Sequence, residues 1–137
     1  MFGNKERALA NVEAYAQSNP EKVSGFKKRW KKVNPEKVLA DTRNRRARKR
    51  LAEGKHTAAD IRAIWERQKH KCAVKKCTHP IAASGEHKYH VDHIKALING
   101  GSNWPENLQI LCAFHNVSKN AKDEYEWANK QGLLFVP

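Results

Sequence analysis

The sequence has no long hydrophobic run; nothing approaches the roughly 18 consecutive apolar residues that a membrane-spanning helix requires. The N-terminal residues Met1-Phe2-Gly3-Asn4-Lys5-Glu6 also lack the apolar stretch of a secretory signal. Both absences predict a chain that works in the cytoplasm and has no membrane partner. Cysteine is scarce, 3 in 137 residues. An odd number in an unexported chain predicts metal ligation or free thiols in place of a disulfide framework. Apolar residue types reach 39%, enough for one compact domain with an extension and not for two full cores.

Acidic residues are the other shortage, 14 against 27 lysines and arginines. The surplus is unevenly placed. Residues 1–18 balance at 2 against 2 and residues 57–137 hold 11 against 8, whereas residues 19–56 hold 14 against 4. Such a block suits a polyanion partner, because each neutralised phosphate releases condensed counterions. A solvated basic tail would have the same composition.

A 15-residue repeat organises that region. Asn4-Lys5-Glu6-Arg7-Ala8, Asn19-Pro20-Glu21-Lys22-Val23 and Asn34-Pro35-Glu36-Lys37-Val38 open its copies, and Tyr15, Trp30 and Arg45 stand at the same later position. Asn is a good N-cap, Pro suits the first helical position and Glu suits the positive end of the helix dipole. Val33 and Val38 have the spacing of a hydrophobic staple. The pattern predicts three short helices broken near Asn19 and Asn34. The second carries an apolar stripe, Val23, Phe26, Trp30 and Val33, among Lys27, Lys28, Arg29, Lys31 and Lys32. Packing of Phe26 and Trp30 on the C-terminal domain is the favoured reading, stacking on bases the alternative. The third copy ends in Arg43-Asn44-Arg45-Arg46-Ala47-Arg48-Lys49-Arg50, a face suited to phosphates and not to burial. These features divide the chain into a basic helical extension suited to nucleic-acid phosphates, 1–56, and a domain, 57–137.

Gly54-Lys55-His56 has the composition of a linker, and Thr57-Ala58-Ala59-Asp60 resembles a capping box opening an amphipathic helix with Ile61, Ile64 and Trp65, running to about His70. Residues 90–94 read as a strand and Asn99-Gly100-Gly101-Ser102-Asn103 as a turn or loop. Residues 108–118 read as helical, and 123–131 as a last helix stopped by Gly132. The apolar tail 133–137 is expected to pack on the domain or on a partner. His56, His70, His79 and His87 are read as surface residues.

Two ligand pairs, Cys72-x4-Cys77 and Cys112-x2-His115, have the arrangement of a closed structural zinc site. A metal would supply folding energy that so small a core cannot. His79 and His87 are also near enough in sequence to provide the fourth ligand. Between the pairs lies His90-Val91-Asp92-His93-Ile94. Asp92 is the right ligand type for magnesium or manganese, and His93 the right type to take a proton from water. Neighbours in a regular strand point to opposite faces, so both can serve one site only if the strand ends or bulges there. His90 shares the parity of Asp92, as a phosphate or supporting contact or as a plain structural histidine.

Asp92-His93-Ile94, Gly100-Gly101, Asn107-Leu108-Gln109-Ile110-Leu111-Cys112, His115-Asn116 and Lys119, in this order and spacing, resemble the HNH (ββα-metal) nuclease family over roughly residues 72–122. With the Asn-Pro-Glu-Lys repeats, the whole chain is similar to free-standing HNH endonucleases encoded by phages, which would act in the host cytoplasm. The resemblance implies an α+β fold, a small zinc-stabilised ββα-metal nuclease domain preceded by the helical extension. It implies a DNA endonuclease leaving 5′-phosphate and 3′-hydroxyl ends, nicking or cutting double-stranded DNA. His93 would be the general base, and Asp92 and Asn116 the ligands of Mg2+ or Mn2+. Asn107 would hold the loop and orient the base, and Lys119 would touch a phosphate. Asn116 stands where the family's last His usually stands, making an HNN variant. Cys77 closes a longer knuckle than usual, His115 replaces a Cys, and Ala96 replaces a common Pro. In a rival register His115 is the last His and zinc keeps three sulfurs; the x2 spacing from Cys112 favours His115 on zinc. An inactive, zinc-ordered DNA-binding module is the alternative function, and RNA is an alternative substrate. One site per chain cuts one strand, so a monomer would nick.

Overall fold

The 15-residue repeat becomes three consecutive helices. The computed structural model describes residues 3–120 together with 122, 126 and 127. It contains α1 (Asn4–Ser18), α2 (Pro20–Val33) and α3 (Pro35–Lys49). The breaks fall on Asn19 and Asn34, with proline as the first residue of the next helix. The asparagines do a different job from the expected one. Asn19 makes no side-chain N-cap bond; its Nδ2 donates back to the Tyr15 carbonyl at 3.0 Å, and that of Asn34 to the Trp30 carbonyl at 2.9 Å. Each is a second donor to a carbonyl that already accepts the same asparagine's backbone N–H, at 2.9 Å, and so reinforces the end of the helix before it.

The chain divides into two compact units, Met1–Val38 and Leu39–Pro137. In the first, no residue of α1 or α2 is buried, and Phe26 and Trp30 are exposed.

The second unit starts earlier than the sequence division at residue 56. Ala40 and Ala47 of α3 are buried. The Asn44 amide holds the His56 backbone from both sides, accepting from its N–H at 3.1 Å and donating to its carbonyl at 2.7 Å. The segment 54–56 is thus packed and is no linker. Gly54 has φ +99 with the Trp104 indole against it, and His56, expected at the surface, is 2% exposed. The His56 Nδ1–H donates to the Asn103 carbonyl at 3.3 Å, which leaves Nε2 buried without a partner among the described residues. His70, by contrast, is exposed as expected and pairs with Glu66.

Helix α4 (Ala58–Arg67) opens with the capping box, Thr57 Oγ1 accepting from the Asp60 N–H and Asp60 accepting from the Thr57 N–H. It buries Ile61, Ile64 and Trp65 against Leu108 and Ile110. Those two partners correct the helix expected over residues 108–118. Strand β1 (His90–His93) pairs antiparallel with β2 (Leu108–Leu111), His93 opposite Leu108 and Asp92 opposite Gln109. Leu108, Ile110 and Leu111 are all fully buried, so pairing and burial outweigh local preference. The outer edge of β2 is closed at Ile110: Gln68 accepts from its N–H and donates to its carbonyl, both at 2.9 Å, and the Ala73 N–H donates to the same carbonyl at 2.9 Å. Together they take the place of a third strand and protect an open edge.

Helix α5 (Ala113–Lys119) follows, its first turn capped by the Cys112 sulfur. It is inside out. His115 and Lys119 are buried while Phe114 and Val117 are exposed, because its polar face serves the site. The helix expected over 123–131 and the tail 133–137 lie outside the described residues, apart from 126 and 127. Trp127 is buried, and its indole N–H reaches Ser118 Oγ at 3.3 Å.

Two outcomes follow. A β-carbon at Gly101 would collide with the Lys95 carbonyl, so Gly101→Ala should cost about 3 kcal/mol in urea unfolding. Burial pushes the His56 pKa down, partly offset by the Asn103 carbonyl and reinforced by Arg43 and His93. The folded chain then refuses a proton that the unfolded chain binds below pH ~6.5. Stability should hold above that pH and fall below it, and His56→Gln should flatten the fall.

Candidate functional site

The cysteines and one histidine converge as the spacing predicts. Cys72 precedes the turn to Cys77, and Cys112 and His115 sit at the start of α5, so all four ligand atoms lie within 4.8 Å of one another. His115 Nδ1 is 3.1 Å from Cys112 Sγ and 3.6 Å from Cys72 Sγ, and Cys77 Sγ is 3.8 Å from Cys112 Sγ. His79, the other candidate ligand, stacks on Phe114 instead, with ring centroids 4.1 Å apart, and His87 is exposed.

The electrostatics suit a cation. Burial, with the neighbouring thiols, pushes the Cys72 thiol up to about 12, so without a positive charge beside it this thiol stays protonated. Backbone N–H groups of Cys112 and His115 point at the sulfurs of Cys72 and Cys112, each at 3.4 Å. Burial, then His79, lowers the His115 pKa, keeping the ring neutral and its lone pair available. Three sulfurs and one imidazole are a tetrahedral zinc donor set, and Cys72, Cys77, Cys112 and His115 could hold that ion.

A second group of polar residues gathers where β1 ends. The strand stops at His93, and the next N–H, of Ile94, bonds the Asn107 carbonyl at 2.8 Å. This ending lets Asp92 and His93 face one cleft of about 320 Å³. Asn107 fixes the following loop with three bonds: Oδ1 accepts from the Lys95 N–H at 2.9 Å, and Nδ2 donates to the carbonyls of Lys95 and Ser102 at 3.0 and 2.7 Å. The His93 ring itself is held by another residue, Asn103, with Nε2 3.0 Å from Oδ1.

Helix α5 covers the face of β1 that carries His90 and Asp92. Asn116 Nδ2 meets His90 Nδ1 at 3.2 Å. One turn on, the Lys119 ammonium lies 3.0 Å from Asp92 Oδ2 and donates to the His93 carbonyl at 2.8 Å. Lys119 was expected against a phosphate. It is instead 1% exposed, because α5 turns this position inward and the half-buried Asp92 carboxylate needs a counter-charge. Gln109, facing Asp92 across the ladder, donates to the same oxygen at 3.0 Å. Asp92 Oδ1 keeps no hydrogen-bond partner among the described residues.

The opposite wall of the cleft is α3. Arg43 and Arg46 of α3, with Arg50 just beyond its end, line it with Asp92, His93, Leu97 and Ile98. Burial lowers the Arg43 pKa, as does Arg46, against a raising effect of Tyr89; a guanidinium stays charged regardless. Arg45, Arg48 and Lys49 are exposed and do not line the cleft. Lys27, Lys28 and Lys31 line a separate groove between α1 and α2, and Arg29 and Lys32 are exposed on α2. Sequence reasoning missed Asn103, Asn44 and Gln109. Gln109 was findable from a β1–β2 register; the two asparagines carry no periodic signal.

Residues 72–129 match the family model described as HNH endonuclease. They form an HNH endonuclease domain. The matched span contains both polar clusters, from Cys72 to His115 and from Asp92 to Lys119, while the arginines of α3 lie outside it. Among solved structures the chain is similar to the type IV phosphorothioation-dependent restriction endonuclease ScoMcrA, at 22% identity and a TM-score of 0.40, over 71% of this chain and 22% of that one. No curated protein matches. Among the described residues no helix is long and apolar enough to cross a membrane.

The purified protein should carry one zinc per chain by elemental analysis. Cys72→Ala should lose it and about 4 kcal/mol or more of stability. Because sulfurs and His115 must be deprotonated to bind, retention should fall as pH falls.

Proposed function

We propose that the protein is a metal-dependent DNA endonuclease that hydrolyses phosphodiester bonds to 5′-phosphate and 3′-hydroxyl ends, nicking or cutting double-stranded DNA. The observation that carries this reading is the single cleft in which His93 and Asp92 face Arg43, Arg46 and Arg50. Guanidinium forks suit phosphate oxygens and are well placed to seat a backbone phosphate beside the imidazole. His93 takes the proton of a water that attacks phosphorus in line with the departing 3′ oxygen.

A hard divalent cation fits the oxygen donors present. Asp92 has its Oδ1 without a hydrogen-bond partner among the described residues. The Asn116 amide spends Nδ2 on His90, so its oxygen is the atom available to a cation. Asp92 and Asn116 would therefore hold Mg2+ or Mn2+, which supplies charge relief at the phosphate and the leaving oxygen. Asn107 keeps the loop after His93 in place, and Lys119 and Gln109 hold Asp92 from behind. Arg45, Arg48 and Lys49 on α3, with Lys27, Lys28, Arg29, Lys31 and Lys32 on α2, add phosphate contacts that carry no sequence information.

One observation favours a second reading, a binding module without cleavage: the Lys119 ammonium already neutralises Asp92. Tight DNA binding with no cleavage under magnesium or manganese would decide for it.

On supercoiled plasmid with either metal, wild type should nick, and His93→Ala should lose about 10²- to 10⁴-fold in rate. Equal nicking by both would overturn the assignment, and an RNA arm identifies the preferred nucleic acid. Arg46→Ala should weaken DNA binding at every sequence and reduce the salt slope by about 1. Removal of residues 1–38, which leaves Asn44 in place, should flatten the slope further without changing zinc content.

A further inference from the structure

We infer that Asn103 is the positioning residue of His93, and that a one-way chain of hydrogen bonds from the His56 backbone decides which ring nitrogen of His93 carries its proton. The inference rests on the reading of His93 as the base. It concerns only residues of the second unit.

The argument is one of forced polarity. A backbone N–H can only donate and a carbonyl can only accept. The His56 N–H meets one atom of the Asn44 amide at 3.1 Å and the His56 carbonyl meets the other at 2.7 Å. The Asn44 amide therefore has a single permitted orientation, with Oδ1 on the N–H. That same Oδ1 lies 2.8 Å from the Asn103 amide, where it can only accept, so Asn103 must present Nδ2. A second acceptor demands the same: the Gly54 carbonyl lies 3.3 Å from Asn103 Nδ2. The Asn103 oxygen is left facing His93 Nε2 at 3.0 Å. An amide oxygen cannot donate, so Nε2 must carry the hydrogen. A neutral imidazole has only one. Nδ1 is thereby the lone-pair nitrogen, free to take a proton from water.

Asn103 has no room to rearrange. It is 0% exposed, its N–H donates to the Glu53 carbonyl at 2.6 Å, and its own carbonyl accepts from His56 Nδ1. The chain also passes through Asn44 of α3, the helix whose Arg43 and Arg46 line the cleft. One helix thus supplies the phosphate-facing cations and, through Asn44, the orientation of the base.

The direct test needs no substitution. With imidazole 15N labelling, above the titration range of the ring, wild-type His93 should be the neutral Nε2–H form. The Nδ1–H form would overturn the inference. Asn103→Ala should then mix the two forms and lower kcat on plasmid about 10- to 100-fold, with KM unchanged within about 2-fold. Asn44→Ala, at a less buried position, should move both readouts the same way and covers the case in which Asn103→Ala fails to fold. Unchanged kcat with an unchanged spectrum, or a change in KM alone, contradicts the inference. Wild-type protein that cuts nothing would refute the proposed function while leaving the spectrum to judge the tautomer.

Discussion

The pairing of His90–His93 with Leu108–Leu111 is the contact on which the site depends. Two strands of four residues are marginal by themselves. Here they are held on three sides: α4 packs on one face through Ile61, Ile64 and Trp65, Gln68 and Ala73 close the outer edge of β2 at Ile110, and the Cys72–His115 cluster pins the chain that leaves it. The register sets Gln109 against Asp92 and ends β1 at His93. A slip of one residue would move Asp92 to the α4 side and bury a carboxylate among apolar groups.

The cost of the site is visible in what the small core gives up. Helix α5 spends its buried face on His115 and Lys119 and leaves Phe114 and Val117 in solvent. Lys119 and Asp92 form a pair that is largely removed from water, a contact that contributes little net stability yet becomes expensive when one partner is removed. His56 keeps a buried nitrogen without a partner among the described residues. A metal held by Cys72, Cys77, Cys112 and His115 would supply folding energy that so small a core does not.

What the sequence made legible was local or strongly spaced. The asparagine-proline repeat marked the breaks between α1, α2 and α3, the Thr57–Asp60 box marked the start of α4, and two ligand pairs marked the cluster that could hold zinc. Asp92 and His93 stood out by residue type. The misreadings inside the second unit had one cause, long-range contact. An apolar run such as Leu108-Gln109-Ile110-Leu111 suits helix or strand equally until its partner is known. Lys119 looked like a surface cation because nothing nearby in sequence announces Asp92 as its counter-charge. Gly54-Lys55-His56 looked like a linker because Asn44 and Asn103, which hold it, lie 12 and 47 residues away from His56.

The matched HNH span and the arginine-lined wall of α3 come together at His93, and that convergence is the central claim. It is tested most directly by the chemistry of the ends produced. Plasmid nicked by the wild-type protein with magnesium or manganese should be resealed by a DNA ligase without prior end repair, as 5′-phosphate and 3′-hydroxyl termini require. Nicks that the ligase cannot close, or equally sealable nicks at the same rate from His93→Ala, would contradict it.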